Sequence, residues 1–221
     1  MWGSSKGLKT VFPISNVAIF LRTQACRNYF RDLILKLIDS KIGNDIILCS
    51  GFFQEQHGKS LYKISTEGDL ATRLHRSNVS ISVLGIYNNM WLQSYIYFVS
   101  SLRGAGVKVN AYKTSNLRWH AKLFIFKRNN SPLLAIIGSS NMTRPAFGLS
   151  HTLFNYECDV VLWDSNHVAL NKFITNFFQE SEGKQDIVLS EYDSSFSGLS
   201  IPDILKRLEN ELNIEQYEIL P

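Results

Sequence analysis

Three apolar runs, Trp119–Lys127, Leu133–Ile137 and Cys158–Trp163, commit the middle of this chain to a β-sheet. The first alternates weakly and then turns wholly apolar, as a buried strand does. A polar turn, Arg128-Asn129-Asn130-Ser131-Pro132, joins it to the second. So short a connection predicts neighbouring antiparallel strands. The third run begins just after Glu157.

Chemistry gathers at the ends of these strands. Residues two apart on a strand share a face, so His120 and Lys122 project together. The second strand runs into Gly138-Ser139-Ser140-Asn141, a small polar turn that presents side chains and amides at the sheet's edge. An imidazole can attack phosphorus while another protonates the leaving oxygen. A lysine and an amide can hold the non-bridging oxygens as charge develops on them. A carboxylate such as Glu157 fixes the tautomer and orientation of a histidine that it bonds. This set calls for no cofactor and no metal, and no paired-carboxylate or histidine cluster has metal-ligand spacing. The residues predict phosphoryl transfer from a diester.

His120-Ala121-Lys122, then Gly138-Ser139-Ser140-Asn141, then Asn155-x-Glu157 resemble the phospholipase D superfamily signature, HxK(x)4D followed by GSxN and NxE. The likeness runs in order over about forty residues, which makes it far more specific than a lone HxK. Within the superfamily it is most similar to the single-motif nucleases, including the metal-independent restriction endonucleases. The resemblance implies that His120 is both nucleophile and acid, and that Lys122 and Asn141 hold the phosphate with help from Ser139. Glu157 would orient a histidine. A single motif further implies a homodimer with an isologous interface, each chain giving one His120 to a shared site. The signature's aspartate falls at position 127, which is Lys127 here. That departure weakens a lipid-hydrolase reading, leaves the supporting role open to Glu157, and suits a polyanionic substrate.

The rest of the chain predicts an α/β fold. Phe30, Leu33, Ile34, Leu37 and Ile38 recur at helical spacing between Asn28 and Ile42, with Gly43 as a stop. Strands are expected at Val17–Leu21, Asp45–Cys49, Val79–Ile86 and Val107–Tyr112, and helices at Gly68–Arg76, Trp91–Leu102 and Val168–Phe178. This alternation indicates parallel pairs, to which the motif strands add antiparallel members. The expected architecture is a mixed β-sheet flanked by helices on both faces, in agreement with the phospholipase D-like fold that the resemblance implies.

Charge divides the chain. Residues 181–221 carry nine acidic and three basic side chains, a balance of −6, which leaves +10 of the net +4 on residues 1–180. A catalytic domain is therefore expected over 1–181. Residues 182–221 read as an acidic extension, with a linker at Ser194–Gly198 and one amphipathic helix bearing Ile201, Ile204, Leu205, Leu208 and Leu212. That helix could cover the sheet, extend a dimer or dock on another protein. A basic body suits a nucleic-acid partner through counterion release, although a solvated surface accounts for the charge equally well. Three cysteines without close spacing (Cys26, Cys49, Cys158) argue against a disulfide framework and a zinc site. No apolar run has the length of a membrane span and no signal-peptide pattern opens the chain, so a cytoplasmic protein is expected.

Candidate substrate contacts are Arg118, Lys127, Arg144 and Ser140, with Lys113 and Arg128 also flanking the motif. Thr143-Arg144-Pro145-Ala146 resembles a helix start of the kind that aims amides at a phosphate. Trp119 beside His120 could stack on a base or simply pack. A second His-x-Lys, His57-Gly58-Lys59, lies in a polar stretch with no GSxN turn after it and reads as a loop. The function expected is a metal-independent nuclease, acting on DNA or RNA, with a restriction or phage-defence system as its setting. A phospholipid hydrolase and a catalytically weak nucleic-acid-binding scaffold are the alternatives.

Overall fold

Asn28 starts the first helix by accepting the Arg31 amide on its side chain, and α1 then runs over Tyr29–Asp39. The computed structural model describes residues 15–23, 27–86, 89–115, 122–150, 152–180 and 186–221. Strands β1 (Val17–Arg22), β2 (Asp45–Ser50), β3 (Ser80–Ile86) and β4 (Val109–Thr114) alternate with α1, α2 (Leu70–Arg76) and α3 (Leu92–Gly104). The motif region supplies β5 (Lys122–Arg128), β6 (Ser131–Gly138), the single turn α4 (Arg144–Phe147) and β7 (Glu157–Trp163). After these come α5 (Val168–Gln179), β8 (Ile187–Ser190), α6 (Ser194–Ser197), α7 (Ile201–Leu212) and β9 (Glu218–Ile219). All join one sheet in the order β8-β1-β7-β6-β5-β2-β3-β4-β9.

The expected parallel pairs are β2–β3 and β3–β4, and β5–β6–β7 is antiparallel as the short connections predicted. The fourth strand starts two residues later than its apolar run. Gly106 at φ 80° ends the helix, and the Val107 amide still reaches back to Leu102 O, so pairing begins only afterwards.

Alternation along each strand sorts the side chains into two cores. Phe20, Leu48, Val83, Phe124, Ile136 and Val161 pack on one face beneath α1, α2, α3 and α5. Ile47, Leu123, Ile125 and Ala135 pack on the other against Ile201, Leu205 and Leu212 of α7. Helices thus lie on both faces of a mixed sheet. A capping box between Ser200 and Asp203 starts α7. Its three buried apolar side chains contribute roughly 1.5–3 kcal/mol each. Its stripe is spent on the sheet, so it is not a free docking face.

Residues 186–221 are more closely built in than an extension would be. β8 pairs with β1 and β9 with β4, so this segment supplies both outer strands as well as the second face's helix. The stretch read as a linker is the single turn α6, closed by Gly198 at φ 71°.

Lys127 ties α7 to the sheet. Its ammonium lies 2.5 Å from Glu209 of α7 and 3.5 Å from Asp45 of β2. Burial pushes the Glu209 carboxyl up, but hydrogen bonds from Lys127 and Lys206 outweigh it and hold that carboxyl below the usual range.

Candidate active site

Antiparallel pairing brings the start of β5, the end of β6, the start of β7 and the end of β2 to one edge of the sheet. Lys122 pairs opposite Gly138, Gly138 opposite Asp159, and Cys49 opposite Leu123. It is also the edge where the parallel strands β2, β3 and β4 end, the side on which open α/β sheets bind ligands.

The Gly138–Asn141 turn is fixed from below by two carboxylates. Ser139 Oγ donates to Glu157 Oε2 in a short hydrogen bond and accepts the Cys158 amide at 3.0 Å. Ser140 gives its amide to Asp159 Oδ1 at 3.2 Å and its hydroxyl to Oδ2 at 2.6 Å. Ser140 is 1% exposed and Asp159 2%, so Ser140 is an internal anchor whose hydroxyl does not face a substrate. Burial pushes the Asp159 carboxyl up. The Ser140 bonds pull it back and the Glu157 charge adds to the rise, leaving it raised. Gly138 permits this packing, since a Cβ there would stand 2.5 Å from Cys158 O and 2.7 Å from Asp159 Cα.

Asn141 leans on β2. Its Oδ1 lies 3.3 Å from Ser50 Oγ, which accepts the Met142 amide at 3.1 Å. Lys122 is half-buried at the start of β5. Burial pushes the neighbouring Cys49 thiol up to about 12 against the pull of the Lys122 charge, so Cys49 stays a protonated thiol. Lys122, Ser139, Asn141 and Glu157 are thus gathered at one sheet edge. His120, Arg118 and Trp119 lie outside the described residues.

Other expected contacts fall elsewhere. Lys127 and Arg128 sit at the far end of β5, where Lys127 is 7% exposed and committed to carboxylates; it is not brought to the site. Lys113 pairs with Glu218 at 2.6 Å. Arg144 is exposed beside the turn, but its amide donates to Gln54 Oε1 at 2.8 Å and Pro145 has none to offer. The start of α4 therefore aims no amide at a phosphate.

Three residues at this edge escaped the sequence reading. Asp159 had a signal, because it stands two positions after Glu157 and so shares its face. Ser50 ends an apolar strand and had none. Arg22 is buried and donates to Ala146 O and, at 3.0 Å, to Gly148 O; with Asn28, which bonds the same two carbonyls, it clamps α4 beside the turn.

Asp159→Ala should cost about 1–3 kcal/mol, since Ser140 would keep a buried amide and hydroxyl without their acceptor. Asp159→Asn keeps an acceptor and should cost less. The raised carboxyl means that the folded state holds this proton more tightly, so its contribution to stability falls as pH rises through its range. Across thermal melts from acid to neutral pH, the wild type should lose stability relative to Asp159→Asn as pH rises, the Glu209 contribution being common to both.

Among the described residues, no three His, Cys, Asp or Glu side chains cluster as metal ligands would. What the edge brings together is a cation (Lys122), an amide (Asn141) and the bonded Ser139–Glu157 pair, a set suited to holding a tetrahedral anion while a nucleophile attacks.

A family profile described as cardiolipin synthase, PLD-like domain matches residues 36–181. Among solved structures, NUC from Salmonella typhimurium, a phospholipase D family member, is 18% identical, with 80% of this chain and 98% of that one covered and a TM-score of 0.43. NucT from Helicobacter pylori is 16% identical over 79% and 98% of the two chains, with a TM-score of 0.41. Phosphatidylserine synthase from Haemophilus influenzae Rd KW20 is 11% identical, with a TM-score of 0.46; the match spans 92% of this chain and 47% of that one. Direct comparison with curated protein sequences gives no match.

Proposed function

The chain belongs to the phospholipase D-like family of phosphodiesterases, and from that premise we propose that it is a metal-independent nuclease working through a phosphohistidine. The observation that carries this reading is the Gly138–Asn141 turn, seated on Glu157 and Asp159 opposite Lys122. In the mechanism, His120 of one subunit attacks phosphorus and His120 of the partner subunit protonates the leaving oxygen. The partner subunit's His120 then takes a proton from water, which attacks the phosphohistidine and releases the product. Lys122 and Asn141 stabilise the charge on the non-bridging oxygens. Glu157 keeps a histidine in the reactive tautomer while Ser139 holds Glu157 in place.

We take the substrate to be nucleic acid, in keeping with the net charge of +4 and the cations Lys122 and Arg144 beside the turn. A place in a restriction or phage-defence assembly is part of the proposal. The test is hydrolysis of single-stranded DNA, duplex DNA, RNA and cardiolipin vesicles by EDTA-treated protein. Nucleic-acid cleavage that survives chelation, with an acid-labile phosphoprotein trapped by quenching, is the expected result. Activity restored only by a divalent cation, or confined to vesicles, would overturn the reading.

A further inference from the structure

Beside the catalytic edge stands an aromatic cluster that the mechanism leaves unused. β2 ends at Ser50, and the chain then runs along the Asn141 turn: Phe53 bridges Met142, and the Gln54 amide donates to Met142 O at 2.8 Å. Phe53 turns inward and stacks on Phe98 in the core. Phe52, its neighbour on the opposite side of the strand, is only partly buried and lies 4.9 Å from the Trp91 ring. His57 stacks on Trp91 at 3.8 Å with the planes 11° apart. His57 and Trp91 are likewise partly exposed.

Cations lie on the segments that carry this cluster. Lys59 is exposed on the His57 loop, and Lys63 lies where the loop returns to pair with Glu55. Gln54 ties the loop to Arg144, donating to Ser60 Oγ at 3.0 Å while its Oε1 accepts the Arg144 amide. Among the described residues, no ion pair involves Lys59, Lys63 or Arg144. Aromatic faces interleaved with uncommitted cations are what a nucleobase and its flanking phosphates require.

We propose that Phe52, His57 and Trp91 form a base-stacking subsite for the nucleotide next to the scissile phosphate, with Lys59, Lys63 and Arg144 receiving the adjoining phosphates. The proposal rests on the nuclease reading and deepens it. The second His-x-Lys thereby gains a role in binding, and the subsite demands an unstacked base, hence single-stranded or locally opened substrate.

The test compares oligothymidylate and oligouridylate with strands of equal length carrying tetrahydrofuran abasic residues, which keep the phosphates and lack the bases. The wild type should favour the base-bearing strands by about tenfold or more in kcat/KM. Trp91→Ala should erase that preference while its rate on the abasic strand stays within about twofold, and Trp91→Phe should retain most of it. Equal losses on both strands in Trp91→Ala would mean a structural role and overturn the proposal. A wild type indifferent to the bases would overturn it with the nuclease reading intact. Failure of the wild type on every strand would overturn the subsite, and the nuclease reading would fall with it only if duplex DNA were also left uncut.

Discussion

On the proposed mechanism His120→Ala should lower nucleic-acid cleavage by about 10⁴-fold or more, because one substitution would remove the nucleophile of one subunit and the general acid of the other. Melting should be unchanged, separating chemistry from folding. Subunit mixing tests the shared site. If each site needs two copies of His120, an equilibrated equal mixture of wild type and variant keeps about a quarter of the activity of an equal total of wild-type chains, since only wild-type pairs are competent. If each chain carries a complete site, it keeps about half. The quarter supports the two-fold mechanism and the half refutes it.

Lys127→Asp, which restores the residue of the family signature, destabilises the protein by roughly 3–5 kcal/mol. It sets a third carboxylate beside Asp45 and Glu209 where an ammonium now pairs with both. The melting temperature should fall by roughly 10 °C. Acid works in opposite directions on the two proteins. The Glu209 carboxyl is depressed in the wild type, so its stabilisation is present at neutral pH and lost as pH falls through the carboxylate range. The variant should instead recover stability over that range as its repelling carboxylates protonate. At temperatures where both are folded, kcat/KM should match, because Lys127 lies at the opposite end of β5 from Lys122. Unchanged melting with a severalfold rise in KM would restore Lys127 as a substrate contact.

Position 127 marks the limit of what the sequence makes legible. Local signals were strong in β5, β6 and β7, where a short polar turn and apolar runs fixed both strand identity and antiparallel pairing. The clustering of Lys122 with the Ser139–Asn141 turn and Glu157 followed from strand ends alone. Lys127 was visible as a departure from the signature, but its partner Glu209 lies far along the chain, and no local pattern announces such a pairing. Asp159 was half legible through its spacing from Glu157. Ser50 was not, since a serine ending an apolar strand usually signals only a turn. The packing of residues 186–221 was hidden because β8 is only the four residues Ile187–Ser190 and β9 only two, too short for a period to show among acidic neighbours.

The position of β1 has a consequence for how the molecule comes into being. Its backbone partners are β7 and β8, with Arg22 opposite Glu157 and Val17 opposite Ser190. Sequence separations of that size slow folding, because loop-closure entropy is lost before the pairing offsets it. During synthesis Ala18 and Phe20 therefore emerge long before the strands that will bury them. The β2–β3–β4 unit, stitched by neighbouring helices, has its partners at hand much sooner. Since β1 also carries the Arg22 clamp on α4, the surroundings of the Ser139–Asn141 turn are completed only when the earliest strand meets some of the latest. The candidate active edge is thus withheld from the nascent chain until β7 and β8 have been made.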